Sequence, residues 1–98
     1  MCTYVTENVA VSGSGKGPEG WFSLSEATVY FDHPFHAPLD HSLNIDFADR
    51  SATGRRVAVE LSAASARALA AAILSTLDAG EASVGAVTAF KDPATLTV

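Results

Sequence analysis

Three histidines, His33, His36 and His41, fall inside the ten-residue stretch Asp32-His33-Pro34-Phe35-His36-Ala37-Pro38-Leu39-Asp40-His41, and the chain has no others. Neutral imidazoles are good ligands for divalent transition metals, and a short loop can fold rings at these spacings around one cation. A carboxylate at each end of the run, Asp32 and Asp40, can accept the second ring N–H of a ligand and so fix its orientation. The chemistry indicated is an open coordination sphere with a position left for water or a small molecule, and zinc or iron suits imidazole and carboxylate. The spacing His-x2-His-x4-His is not an established zinc signature. A metal-free loop whose histidines bond to Asp32, Asp40 and backbone carbonyls therefore stands beside the metal reading.

Cys2 is the chain's single cysteine. A closed structural zinc site needs thiolates in pairs, so Cys2 enters only as a further ligand or as a nucleophile. Trimming of Met1 would expose a free α-amino group beside the thiol. If the first hairpin is centred near Lys16, its partners sum to about 32, which sets Cys2 opposite Tyr30 and next to Asp32 and His33. The bland alternative is a small hydrophobe at the start of a strand.

The elements that must position these residues follow from periodicity. Cys2–Val11 and Trp21–Phe31 carry β-branched and aromatic residues, and SGSGKGPEG interrupts them, giving a long hairpin. Leu43, Ile45 and Phe47 alternate with Ser42, Asn44 and Asp46, and Val57, Val59 and Leu61 alternate with Ala58 and Glu60. This is a second hairpin with one apolar face, in register with Asn44 opposite Glu60. Ser62 stands at an N-cap before AASARALAAAILSTLDA, a helix of about four to five turns that Gly80 should stop. Val84–Phe90 reads as a fifth strand, and Ala94–Val98 as a short edge segment. The expected fold is a single α+β domain over residues 1–98: an antiparallel β-sheet of four to six strands packed on one long α-helix, in the order β-β-β-β-α-β.

Hydrophobic residues make up 48% and charged residues 17%, which excludes disorder. The net charge of -5, with no basic run longer than Arg55-Arg56, argues against nucleic acid as a partner. There is neither a bilayer-spanning apolar run nor a signal core, and a lone cysteine fits a reducing compartment, so a cytoplasmic protein is expected. The second strand has bulky groups of both parities, while one helix covers one face. A homodimer or higher oligomer is therefore expected, its second face closed by another subunit or a small molecule.

Other motifs carry little. Gly13-Ser14-Gly15-Lys16-Gly17 lacks the first glycine and the Ser or Thr of a phosphate-binding loop and lies in a hairpin, so it reads as a flexible connection. Asn44, Asp46 and Glu60 share one parity and read as a solvated face rather than an acid–base pair. No serine sits in a G-x-S-x-G elbow.

Met1-Cys2-Thr3, SGSGKGPEGWF, DHPFHAPLDHSLNIDF and RVAVELSAASARAL together resemble a family of small uncharacterised actinobacterial proteins, a domain of unknown function, over about residues 1 to 80. The resemblance implies an intact natural domain from a high-GC organism and assigns no role to any residue. Three functions stay open: metal binding, with chemistry on or sensing of a small molecule; a metal-free oligomeric binding or scaffold protein using an apolar sheet face; and an enzyme with an N-terminal Cys2 nucleophile. The last predicts loss of Met1 and rapid alkylation of Cys2 by iodoacetamide. Intact mass before and after labelling tests it, and a retained Met1 or an inert thiol removes it.

Overall fold

The computed structural model describes residues 5–51 and 54–84. Its elements run β-β-β-β-α: β1 (Val5–Gly17), β2 (Gly20–Asp32), β3 (Ser42–Ala48), β4 (Arg56–Leu61) and α1 (Ala63–Val84). The four strands form one antiparallel sheet in the order β1-β2-β3-β4, so the fold is α+β. Val84 ends α1, and the rest of the expected fifth strand and the edge segment lie outside the described residues. By contact density the chain divides into residues 1–66, which hold the sheet, and residues 67–98, which hold most of α1.

The glycine-rich segment is strand rather than a flexible connection. β1 runs through it to Gly17, and the turn is only Pro18-Glu19, closed by the pair Gly17↔Gly20. Proline presets φ for the second position of a turn, and Gly20, at φ 112°, takes a conformation that side chains resist. Gly15 and Gly17 share a face with Phe22 and Leu24, whose side chains fill the space left. A Cβ on Gly15 would stand 3.2 Å from Leu24, and one on Gly17 would stand 3.2 Å from Phe22. The ladder slips by one residue between Ala10 and Gly13 and then runs on to Gly17, the glycines permitting close packing within it. The centre of the hairpin is therefore displaced from Lys16, and Thr6, not Cys2, faces Tyr30. Cys2 itself lies outside the described residues.

The second hairpin has the expected register. Asn44 pairs with Glu60, and Leu43, Ile45 and Phe47 face Leu61, Val59 and Val57. Its turn is held by Asp49, whose Oδ1 accepts the Ser51 hydroxyl at 2.6 Å and the Ser51 N–H at 2.9 Å. Those bonds keep the Asp49 carboxyl below its ordinary range. The Arg50 N–H donates to Ser25 Oγ at 2.9 Å and ties the turn to β2.

Alternation gives the sheet an apolar face, with Val29, Phe31, Leu43, Ile45, Phe47, Val57 and Val59, and a polar face, with Thr28, Tyr30, Asp32, Ser42, Asn44, Asp46, Arg56 and Glu60. The edge strands β1 and β4 approach each other without pairing, so the sheet is curled. Burial shows which face lies inside the curl. Ser42, Asn44 and Asp32 are 0%, 2% and 3% exposed, whereas among the described residues the buried hydrophobic side chain is Ala27 alone.

α1 starts as expected. Ser62 Oγ accepts the Ser65 N–H at 3.1 Å and the Ser62 carbonyl accepts the Ala66 N–H at 2.9 Å, an N-cap. The helix does not stop at Gly80 but continues to Val84, and Gly80 has no positive φ. The following Glu81-Ala82 are good helix formers, so nothing there forces a left-handed cap. A Cβ at Gly80 would meet nothing within 4 Å. Gly80→Ala should therefore stabilise the helix by about 0.5–1 kcal/mol. Chemical unfolding followed by circular dichroism measures this, and a loss of stability would mean that Gly80 terminates the helix after all.

Candidate functional site

The β2–β3 ladder closes at Asp32↔Ser42, and the next positions in that register are His33 and His41. Both lie on the Phe31 side by parity. The two ring centroids are 4.8 Å apart with planes 28° from parallel, and the Phe31 ring is 5.7 Å from that of His41 at 14°. His33 Nδ1 lies 3.0 Å from the Asp40 carbonyl oxygen. A carbonyl only accepts, so this nitrogen carries the proton, and in the neutral ring the lone pair is on Nε2. Asp40 thus holds His33 through its backbone oxygen. The Asp32 carboxylate accepts the backbone N–H of His33 at 2.6 Å.

His36 lies at the middle of the loop, organised by a different group. Glu60, on β4, accepts three consecutive backbone N–H groups, from Phe35 at 2.5 Å, His36 at 3.0 Å and Ala37 at 2.8 Å. Such a run of amides is a concave anion site, filled here by a carboxylate of the chain itself. The N–H groups of Ala37 and Phe35 are the main reasons that the Glu60 carboxyl is held below its ordinary range, with His36 adding to them. The structure therefore brings His33 and His41 together and places His36 at the Glu60 clasp. Among the described residues, no three of His, Cys, Asp and Glu are placed to hold one ion.

On the polar face a cavity of about 460 Å³ is lined by Tyr30, Asp32, His33, Pro34, Phe35 and Arg56. Arg56 Nη2 donates to Asp46 Oδ2 at 2.5 Å. Burial pushes the Tyr30 phenol above its usual value, and the Asp46 charge adds to this, so Tyr30 stays a protonated donor. Ser42 Oγ donates to Asn44 Oδ1 at 2.6 Å, while Asn44 Nδ2 is buried without a partner.

Sequence reasoning missed Glu60, Tyr30, Phe35 and Arg56 as site residues. A signal was present for Glu60: the correct register put it beside Asn44, in the row that ends under the histidine loop. The backbone amides that it binds leave no trace in side-chain identity.

The chain belongs to DUF6295, a family of unknown function. The family model matches residues 1–86, which takes in the sheet, the histidine loop and α1. No curated protein and no solved structure matches the chain.

Because the Glu60 pKa is depressed, its contribution to loop order is complete above the unfolded-state value of about 4.3 and is lost as pH falls through the lower folded value. Across the ordinary glutamate range the amide resonances of Phe35, His36 and Ala37 should show no carboxylate titration, and they should move together only below it. Glu60→Ala should displace all three at neutral pH and speed their hydrogen exchange. Unchanged exchange in that variant would remove Glu60 as the organiser of the loop.

Proposed function

We propose that this protein binds one divalent transition metal, zinc or iron, through His33 and His41. The observation that carries the reading is the spacing of the two imidazoles. A ring nitrogen about 2.0–2.1 Å from an ion puts its ring centroid about 3.2 Å away, so two ligands of one tetrahedral ion have centroids about 5 Å apart. The two rings stand at 4.8 Å, stacked 28° from parallel, so one ring turning edge-on about its χ angles would bring the two nitrogens to one ion without moving the loop ends apart. The Asp40 carbonyl fixes the His33 tautomer with Nε2 as the ligand atom, the usual support for a metal-bound imidazole. Water, a small molecule or Cys2 would supply the remaining positions, which is the condition for metal-assisted chemistry or for sensing. A cytoplasmic location and an actinobacterial, high-GC source belong to the same proposal, the latter in keeping with the alanine-rich α1.

The test is elemental analysis of tag-free protein, as purified and after titration with zinc or iron(II), beside a His33→Ala/His41→Ala variant whose circular dichroism shows an intact fold. One bound ion in the wild type, lost in the variant, is expected. Absence of metal after titration, or equal metal in both, overturns the proposal.

The second reading, an oligomeric binding or scaffold protein, is favoured by the apolar sheet face. Its large side chains are mostly but not fully buried, and Val5 and Val9 on the same side are 59% and 46% exposed. Light scattering after gel filtration should give a dimer or larger species, and Ile45→Glu should shift it towards monomer. A monomeric wild type removes this reading.

A further inference from the structure

The polar face inside the curl has a use that the histidine pair does not account for. Arg56 lines the cavity beside the loop and also a second cavity, of about 280 Å³, between the β1–β2 turn and the start of β4. It stands between two recesses on one face. The larger lies within the size range of small-molecule sites. Asp32, Asp46 and Glu60 border this face and their charges act on Tyr30, so an anionic ligand would have to be held by direct contact with Arg56. Asp32, at 3% exposed, is withdrawn into the floor and takes up the His33 N–H. The Asp46 side chain is 18% exposed and committed to Arg56, and the Glu60 carboxylate is committed to the loop amides. The Arg56 side chain is 59% exposed and its contact with Asp46 uses Nη2. A guanidinium carries five donors, so Asp46 orients the fork and leaves most of it free.

The surroundings supply an apolar wall and further donors. Phe35 is 88% exposed on a loop that Glu60 holds fixed, and Pro34 and the Tyr30 ring line the same cavity. The Tyr30 hydroxyl, kept protonated, is a donor in the same lining. A phenol donor and the guanidinium N–H groups that Asp46 leaves unused, beside aromatic surface, match a ligand with an acceptor head and a planar body.

We propose that the polar face of the sheet is a binding site for a small aromatic carboxylate, its carboxylate on Arg56 and its ring against Pro34, Phe35 and Tyr30. Asp46 is a positioning residue that aims the guanidinium. The site does not depend on the metal reading.

Phenylacetate and its uncharged isostere phenylacetamide are the probes, followed by amide chemical shifts of the full chain. Phenylacetate should bind at least about tenfold more tightly than the amide, the difference expected of one charge-assisted pair. It should move resonances of β2, β4 and the loop. Arg56→Gln should abolish that preference with the fold unchanged, and Phe35→Ala should weaken both probes alike. Equal binding of the two probes, or binding of neither, overturns the proposal. So does a preference that survives Arg56→Gln and disappears in His33→Ala/His41→Ala, which would put the carboxylate on a histidine-bound metal instead.

Discussion

The carboxylate of Glu60 on three successive backbone amides is the constraint on which the functional end of the molecule depends. Neither a strand ladder nor a helix turns three successive N–H groups onto one acceptor, so this loop takes its shape from the carboxylate that holds them. Glu60 sits two strands away from β2, across the row Tyr30, Asn44, Glu60. To reach it, the connection between β2 and β3 has to fold back over the polar face rather than extend beyond the sheet. That path makes Pro34 and Phe35 the wall of a cavity. It leaves the two ends of the connection, His33 and His41, side by side where the ladder stops.

Curling inverts the ordinary distribution of polarity. Ser42, Asn44 and Asp32 are buried more deeply than the large apolar side chains opposite them. Burying polar groups is tolerable only when they are bonded, and the Ser42–Asn44 and Asp32–His33 bonds meet most of that demand. The incompletely buried apolar face remains a source of free energy. Covering the exposed minority of a Val, Ile or Phe side chain gains about 0.5 kcal/mol, so seven of them amount to about 3 kcal/mol. That is an appreciable fraction of the stability of a small domain, about 5–15 kcal/mol. The physical case for association rests on this imbalance, whereas the case for a ligand rests on the polar face.

The two proposed sites use different parts of one arrangement. The histidine pair follows from ladder register and faces the Phe31 side, where aromatic and apolar neighbours surround the rings. Arg56 and Tyr30 follow from alternation onto the other side, where hydrogen-bond donors collect. Phe31 and Asp32 thus serve opposite faces, while His33, past the last ladder pair, stacks on His41 and also borders the polar-face cavity. In an extended strand, neighbours in sequence are opposed in space.

Alternation made β3, β4 and their register legible from residue types, because Leu43, Ile45 and Phe47 against Val57, Val59 and Leu61 permit one pairing with a common apolar face. Ser62 announced the helix start because capping is a local hydrogen bond. The first hairpin was misread at Gly13–Gly17, since glycine signals a turn in sequence but here makes room for Leu24 and Phe22, partners seen only after pairing. Gly80 misled for the same reason: a glycine shows what the backbone is allowed to do and not what it does. The histidine loop could be located from composition alone, but which two rings meet was decided by where the β2–β3 ladder ends. The role of Glu60 was decided by backbone amides brought from 23 to 25 residues away, and that of Arg56 by the curl that buries the carboxylates around it and leaves its guanidinium exposed. Sequence determined the local hydrogen bonds and the periodic faces of this protein; tertiary structure decided every contact whose partners are backbone groups or distant side chains, because those depend on register and curvature that no single residue encodes.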